Sequence, residues 1–290
     1  MAKFSGLWEI LFEDGRVLVG VLVLFVFAVL AVGAPLISPN DPLQVFPGLR
    51  NAPLGTPGHP LGTDQTGRDI LSRVIWGGRV SLVTGTAPVV AAMMIGVLLG
   101  LLASYYGGVL EFFILRFMEV LFAFPLILLA ILAAQAFGKG MLNAMLAMTL
   151  VEVPYVIRAV HAAGKSAMDL TYVQAAIVRG ARARHVMFSE ILPSIGPSLI
   201  IFAASIAPIF VIFAAGLSYL GLAIDPPTPD WGMMIAEGQQ VMQVAPHVAT
   251  VPGVILLIVG LAMNLIGDGL QVTLDPKARG RRSQVSPLDA

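Results

Sequence analysis

The sequence has no cysteine among its 290 residues. Disulfides, thiolate metal sites, iron–sulfur clusters and cysteine nucleophiles are therefore excluded, and cysteine usage carries no sign of the redox compartment. Charge is scarce as well. Only 12% of residues are charged, about half of the roughly 25% usual in soluble domains. Lys and Arg together number 17, as do Asp and Glu, so the chain has no basic footprint for nucleic acid. Hydrophobic residues make up 57% and the mean hydropathy is +0.88. That composition excludes an ordinary soluble enzyme. It also excludes disorder, which needs low hydrophobicity and high net charge. The class that remains is an integral membrane protein.

A bilayer core of about 30 Å takes about 20 apolar residues as a helix. Stretches without Asp, Glu, Lys or Arg, or nearly so, occur at 17–40, 80–110, 120–138, 140–161, 191–224 and 238–267, the fourth interrupted by Glu152 and Arg158. Six transmembrane helices are expected, because only helices and closed barrels satisfy their backbone groups in lipid. A barrel would need short alternating segments, and these runs are continuous. The first run is longer than a signal-peptide core and its leader, with Lys3 and Arg16 against Glu9, Glu13 and Asp14, lacks a positive excess. A retained membrane helix is the expectation.

Basic residues orient such a protein. Lys165, Arg179, Arg182 and Arg184 lie between spans four and five, and Lys277, Arg279, Arg281 and Arg282 follow span six, whereas 225–248 has no Lys or Arg. Both basic segments are expected in the cytoplasm, and by parity the N-terminus with them. The 38–79 loop then lies outside, although it carries Arg50, Arg68, Arg73 and Arg79. It is rich in Pro and Gly and reads as irregular chain, with a short helix from Asp69 into span two.

Segment 169–193, DLTYVQAAIVRGARARHVMFSEILP, is the most informative. Tyr172, Val173, Ala176 and Ile177 fall at helical spacing, with three arginines after them. Gly180 suits a helix stop, and Pro193 suits the first turn of the next helix. The residues alone support two readings: a helix gripped by another protein, or one resting on lipid headgroups.

This stretch resembles the cytoplasmic EAA loop of bacterial ABC importer permeases, roughly E-A-A-x3-G-x9-I-x-L-P. The counterpart here is Gln174-Ala175-Ala176, then Gly180, then Ile191-Leu192-Pro193. Gln174 stands in place of the usual Glu, and no spacer separates Ile191 from Leu192. HPLGTDQTGRDILSRVIWGGRVSL (59–82), RFMEVLFAFPLILLAI (116–131), LSYLGLAIDPPTPDWGMMIAEG (217–238) and MNLIGDGLQVTLDPK (263–277) resemble, in order, further segments of the C-type permeases of dipeptide, oligopeptide and nickel importers. The resemblance spans nearly the whole chain. It implies an all-α type I importer permease fold of six spans. Residues 1–16 would be a cytoplasmic segment, 17–79 the first helix with its outer loop, 80–271 the permease domain with a coupling loop at 162–193, and 272–290 a cytoplasmic tail. It implies a homologous second permease, two ATPase subunits and an extracytoplasmic solute-binding protein as partners, in a bacterial inner membrane. Peptides are the implied cargo, with nickel, glutathione or another small solute as alternatives. Tyr172, Val173, Gln174, Ala175, Ala176 and Gly180 would couple to an ATPase, with Ile191, Leu192 and Pro193 holding span five.

No cofactor is expected on this chain, and ATP belongs to the partner subunits. The nearest approach to a P-loop, Ala159 followed by Gly164-Lys165-Ser166, lacks the first glycine and follows a membrane helix rather than a strand. The four histidines, His59, His161, His185 and His247, are dispersed, so no local metal site is expected. Arg116 and Glu119 are spaced for a local pair. Glu152 is expected to find a structural partner, Asp268 to cap the end of span six, and Trp231 to sit at the membrane interface. An ion-coupled carrier would line its path with ionisable residues, for which only Glu152 and Arg158 stand in mid-span. An intramembrane enzyme would show a catalytic motif, and none is recognisable.

Overall fold

The computed structural model describes residues 14–274, and the regular structure among them is helical. Helix α1 is Gly15–Val32, followed by the single turn α2, Ala34–Ile37. Residues 38–69 are irregular apart from a 3-10 turn at Pro47–Leu49. Helix α3 is Ile70–Tyr106. Helices α4 (Gly108–Phe122) and α5 (Leu126–Phe137) follow, bent by 98° to one another. Next come α6 (Met141–Met168), α7 (Thr171–Val178), α8 (Ala183–His185) and a π-helical turn at Val186–Ile191. Helix α9 is Leu192–Tyr219, α10 is Trp231–Gln239 and α11 is His247–Leu274. Five helical runs are long and apolar enough to cross a membrane, and the bent α4–α5 pair makes a sixth if counted as one span.

Several boundaries depart from the sequence expectation. The third run is not one straight helix. Pro125 lacks an N–H and disfavours helical backbone at Phe124, so the chain breaks between Phe122 and Leu126. The short helix expected from Asp69 and the second span are one continuous α3. The Asp69 carboxylate caps it, accepting from the Ser72 N–H at 2.9 Å. The final span begins at His247, and part of the preceding stretch folds separately as α10. Asp268 therefore lies inside α11 and caps no terminus. Of the segments expected at the two ends, 1–13 and 275–290 lie outside the described residues, including Lys3 and the basic group after span six.

In lipid, helices gain little from burying apolar surface against one another, so close van der Waals contact decides the packing. Small residues make that contact possible. A Cβ on Gly96 would lie 2.5 Å from the Val156 Cβ, and one on Gly100 would lie 2.6 Å from the Val160 Cβ. One turn on, a Cβ on Gly164 would lie 2.5 Å from the Ser104 hydroxyl. The constant offset makes α3 and α6 a parallel pair in backbone-close contact. Helix α1 packs in the same way, with Gly20 against the Ala262 carbonyl of α11. The bundle thus has two ends. One collects residues 38–69 and 220–246, and the other collects the Gly107 corner and residues 169–191.

Gly100→Ala is expected to lower the melting temperature of the detergent-solubilised protein, by an overpacking cost of about 1–3 kcal/mol. Adding Val160→Ala should restore part of the loss. An unchanged melting temperature in Gly100→Ala would refute the close contact.

Candidate functional site: the α7 hairpin and the ionic cluster at the opposite end

The α7 hairpin is built by burial on one side and a cap at its end. Val173 and Ala176 point inward and are buried, Val173 completely. Val173 belongs to a cluster with Val186, Met187 and Ile191 of the π turn and with Leu101 and Val160 of the α3–α6 pair. The helix ends in a left-handed glycine. Gly180 has φ +78°. Its N–H donates to the Ile177 carbonyl at 2.9 Å, and the Ala181 N–H donates to the Ala176 carbonyl at 3.1 Å. This pair of bonds is a Schellman stop, which satisfies carbonyls that a helix end otherwise leaves open. Gly180 has open space around its Cα, so glycine is required by backbone conformation rather than by crowding.

The residues singled out in the sequence all meet in this hairpin, but on different sides of it. Val173, Ala176 and Ile191 are core residues. Ala175 and Leu192 are half-buried. Tyr172, Gln174, Gly180 and Pro193 are exposed, Pro193 in the first turn of α9. The Gln174 side-chain amide turns back and donates to the Met168 carbonyl at 2.7 Å, fastening α7 to the last turn of α6. An ionised Glu could not make this bond, because it has no proton to donate. Sequence reading passed over Val178, the most exposed apolar residue of the hairpin at 85%. Arg179, Arg182 and Arg184 are exposed beside it, and none of the three forms an ion pair with the described residues.

At the other end of the bundle, charge is buried and paired. Arg68 Nε donates to Asp64 at 2.7 Å and Arg68 Nη2 donates to Glu237 at 3.1 Å. Arg73 donates to Asp64 and, at 2.7 Å, to Glu237. The cluster ties the 38–69 loop, α3 and α10 together. The arginine side chains and Asp64 are nearly inaccessible, and burying such ions is tolerable only when they are paired this closely. Burial pushes the Asp64 carboxyl up. The Arg73 charge, the Arg68 N–H, the Thr66 hydroxyl and the Arg68 charge outweigh it and hold the group below its ordinary value. Arg79 stacks over Trp76 and donates to the Ala31 and Val32 carbonyls, where a cation suits the C-terminal end of α1. These basic residues of the 38–79 segment thus have internal partners.

Trp231 is buried, not interfacial. Its Nε1–H donates to the Val74 carbonyl at 3.0 Å. Gly77 and Gly78 leave the room, since a Cβ on either would lie 3.3 or 3.2 Å from the indole. The indole has its hydrogen bond inside the protein, which removes the reason for a tryptophan to seek the water boundary. The Arg116–Glu119 pair forms as its spacing implied. Glu152 does not find the partner expected of it. It is fully buried, and neither carboxylate oxygen has a hydrogen-bond partner among the described residues. Arg158 stacks instead over the Phe122 ring at 5.7 Å.

These features describe a multi-pass helical membrane protein with a basic hairpin presented at one end and a locked, irregular loop at the other. The chain belongs to the family of binding-protein-dependent transport system inner membrane components, which it matches over residues 71–280. It is 40% identical over 260 residues to the glutathione transport system permease protein GsiD of Pectobacterium atrosepticum, covering 90% of this chain and 86% of that one. It is 36% identical to the dipeptide transport system permease protein DppC of Haemophilus influenzae, covering 94% of each. It is 35% identical to the di/tripeptide transport system permease protein DppC of Pseudomonas aeruginosa, covering 94% of this chain and 91% of that one. The protein is accordingly a multi-pass inner-membrane permease of the ABC class and not itself an enzyme, ATP being used by separate subunits in that family.

Two measurements probe the site. Since Asp64 titrates lower in the native than in the unfolded chain, its contribution is complete above the ordinary value of 3.8 and is lost as pH falls toward the native value. Asp64→Asn should be less stable at neutral pH and lose less stability on acidification than the parent, read from melting temperatures. Equal acid slopes would count against the ion cluster. Glu152→Met, which removes an unpartnered buried carboxyl, should raise stability by about 1–3 kcal/mol. A drop would mean that Glu152 has a partner.

Proposed function

We propose that this permease forms half of an ATP-driven import pathway for di- or oligopeptides. A homologous second permease supplies the other half. Two ATPase subunits sit at the end bearing α7, and an extracytoplasmic solute-binding protein delivers cargo at the end bearing residues 38–69. Both termini then lie in the cytoplasm. The organisation follows: 1–16 a cytoplasmic segment, 17–79 the first helix and outer loop, 80–271 the permease domain with the coupling loop at 162–193, and 272–290 a cytoplasmic tail.

The observation that carries this reading is the form of the α7 hairpin. A short helix has its inner side buried at Val173 and Ala176, Val173 within the apolar cluster that includes Leu101 of α3 and Val160 of α6, its end held by Gly180, and its outer side open with Tyr172, Gln174, Val178 and the arginines. A helix resting on lipid needs no such connection to the spans. A helix that must transmit a push is served by one, because chains of packed side chains carry coupling between sites. Ile191, Leu192 and Pro193 pass the displacement into α9. Peptide cargo is supported by the dipeptide and di/tripeptide permeases among the relatives. Glutathione is the second reading, favoured by the relative at 40% identity. It is itself a small peptide, so both readings share one cargo chemistry.

Gly180→Val tests the coupling role. A β-branched residue at φ +78° costs about 1–2 kcal/mol or more in backbone strain, locally and without a steric clash. The variant should insert in the membrane and still assemble, yet lose most ATP-dependent uptake of a labelled dipeptide. Full uptake would overturn the role given to this loop. Purification of the parent in mild detergent should recover a second permease and ATPase subunits, whereas a lone chain active with a proton gradient would refute the assignment.

A further inference from the structure

Helix α4 is the least embedded of the long helices. Of its 15 residues only Met118 is buried. Phe112, Phe113 and Phe117 are turned outward. Its apolar packing is confined to one side, where Ile114, Leu115, Met118 and Phe122 meet the cluster shared with α3 and α6, and further contacts hold its two ends. At its start, Glu111 accepts from both His161 Nε2 at 2.7 Å and Lys165 Nζ at 3.0 Å. At its end, the Phe122 ring meets the Tyr155 ring edge-on at 5.0 Å and carries Arg158 above it. The residues of α6 in these contacts, Tyr155, Arg158, His161 and Lys165, recur every three or four positions and so form one stripe along the helix.

The Glu111 contact joins the corner that begins α4 to the end of α6 that holds α7. On the α4 side, Gly107 and Gly108 have φ +62° and +56°, a two-glycine corner that side chains would strain. It stands close to the contact, since a Cβ on Gly107 would lie 3.5 Å from Glu111 Oε2 and 3.7 Å from Lys165 Nζ. On the α6 side, Lys165 is one turn before Met168, whose carbonyl receives the Gln174 amide of α7. One turn of α6 thus holds α7 by one hydrogen bond and α4 by an ion-paired carboxylate.

We propose that Glu111 is a positioning residue for transport, joining α4, and through its bend α5, to the end of α6 that carries α7. Displacement of α7 then moves the α4–α5 pair as well as α9. The inference rests on the transport reading above. It differs from a merely stabilising ion pair in what its loss does: the helix remains in place on average, but motion at α7 no longer sets its position.

The absence of cysteine makes the joint directly measurable. Cysteines introduced at the exposed Leu110 and Ala162 carry spin labels on either side of it, in the complete transport complex reconstituted in lipid. With native Glu111, the label-to-label distance should be narrowly distributed with and without a non-hydrolysable ATP analogue. In Glu111→Gln the distribution should broaden, and the ATP hydrolysed per alanyl-alanine or glutathione molecule taken up should rise about tenfold, the scale of a typical coupling energy. Glu111→Lys combined with Lys165→Glu should bring both readings back toward the parent. A narrow distribution with unchanged stoichiometry in Glu111→Gln overturns the proposal. So does a loss of uptake and hydrolysis in step with the amount of complex recovered, which marks a stabilising role only. Uptake by the parent chain with no ATPase attached overturns the transport reading itself, and the joint with it.

Discussion

The contact between α3 and α6 is the constraint on which the remaining architecture depends. Lipid offers no partner for a peptide group, so each span must be a helix, and helices in lipid hold together by how closely their backbones approach. Gly96, Gly100 and Gly164 remove the side chains that would keep these two helices apart, and Val156 and Val160 fill the space from the other side. The α7 hairpin is built onto this pair through Leu101 and Val160. The loop cluster is built onto the start of the same α3, through Arg73 and Val74. One long helix, with Pro88 inside it, therefore reaches both ends of the molecule.

The two ends solve opposite problems. At the α7 end, Arg179, Arg182 and Arg184 are left exposed and unpaired among the described residues, which suits a surface that meets another body. At the loop end, positive charge is drawn inward and neutralised by Asp64, Glu237 and the carbonyls at the end of α1. The irregularity in the basic-residue pattern concerns Arg50, Arg68, Arg73 and Arg79. Of these, Arg68 and Arg73 are internally paired and Arg79 meets the carbonyls that end α1, whereas Arg50 is exposed.

Much of the fold was legible in the amino-acid order because hydrophobic run length speaks directly to the bilayer. The runs containing α1, α3, α6, α9 and α11 are visible in that way, as are the Asp69 cap, the Gly180 stop and the Arg116–Glu119 pair, all of which depend on near neighbours. What a residue does across the bundle was not legible. Trp231 has the composition and setting of an interfacial residue until Gly77 and Gly78 open a place for its ring. Asp268 lies between two glycines, which look like a terminus, until packing against α1 and α9 carries the helix through them. A charge in mid-span such as Glu152 calls for a partner, and the neighbouring helices bring it none among the described residues.

The order of residues by itself determined that this chain spans a membrane, which stretches hold its long apolar helices, and that a short helix with a glycine stop lies between spans four and five. These follow from hydropathy and local backbone preference, which act over a few turns. Tertiary structure decided which face of that short helix is open, which arginines are neutralised, and that Glu111 meets His161 and Lys165 some fifty residues away. It also decided the angle at which α4 meets α5. Pro125 announces a break, but a proline only removes one hydrogen bond, and the direction taken after it is set by what the two halves pack against.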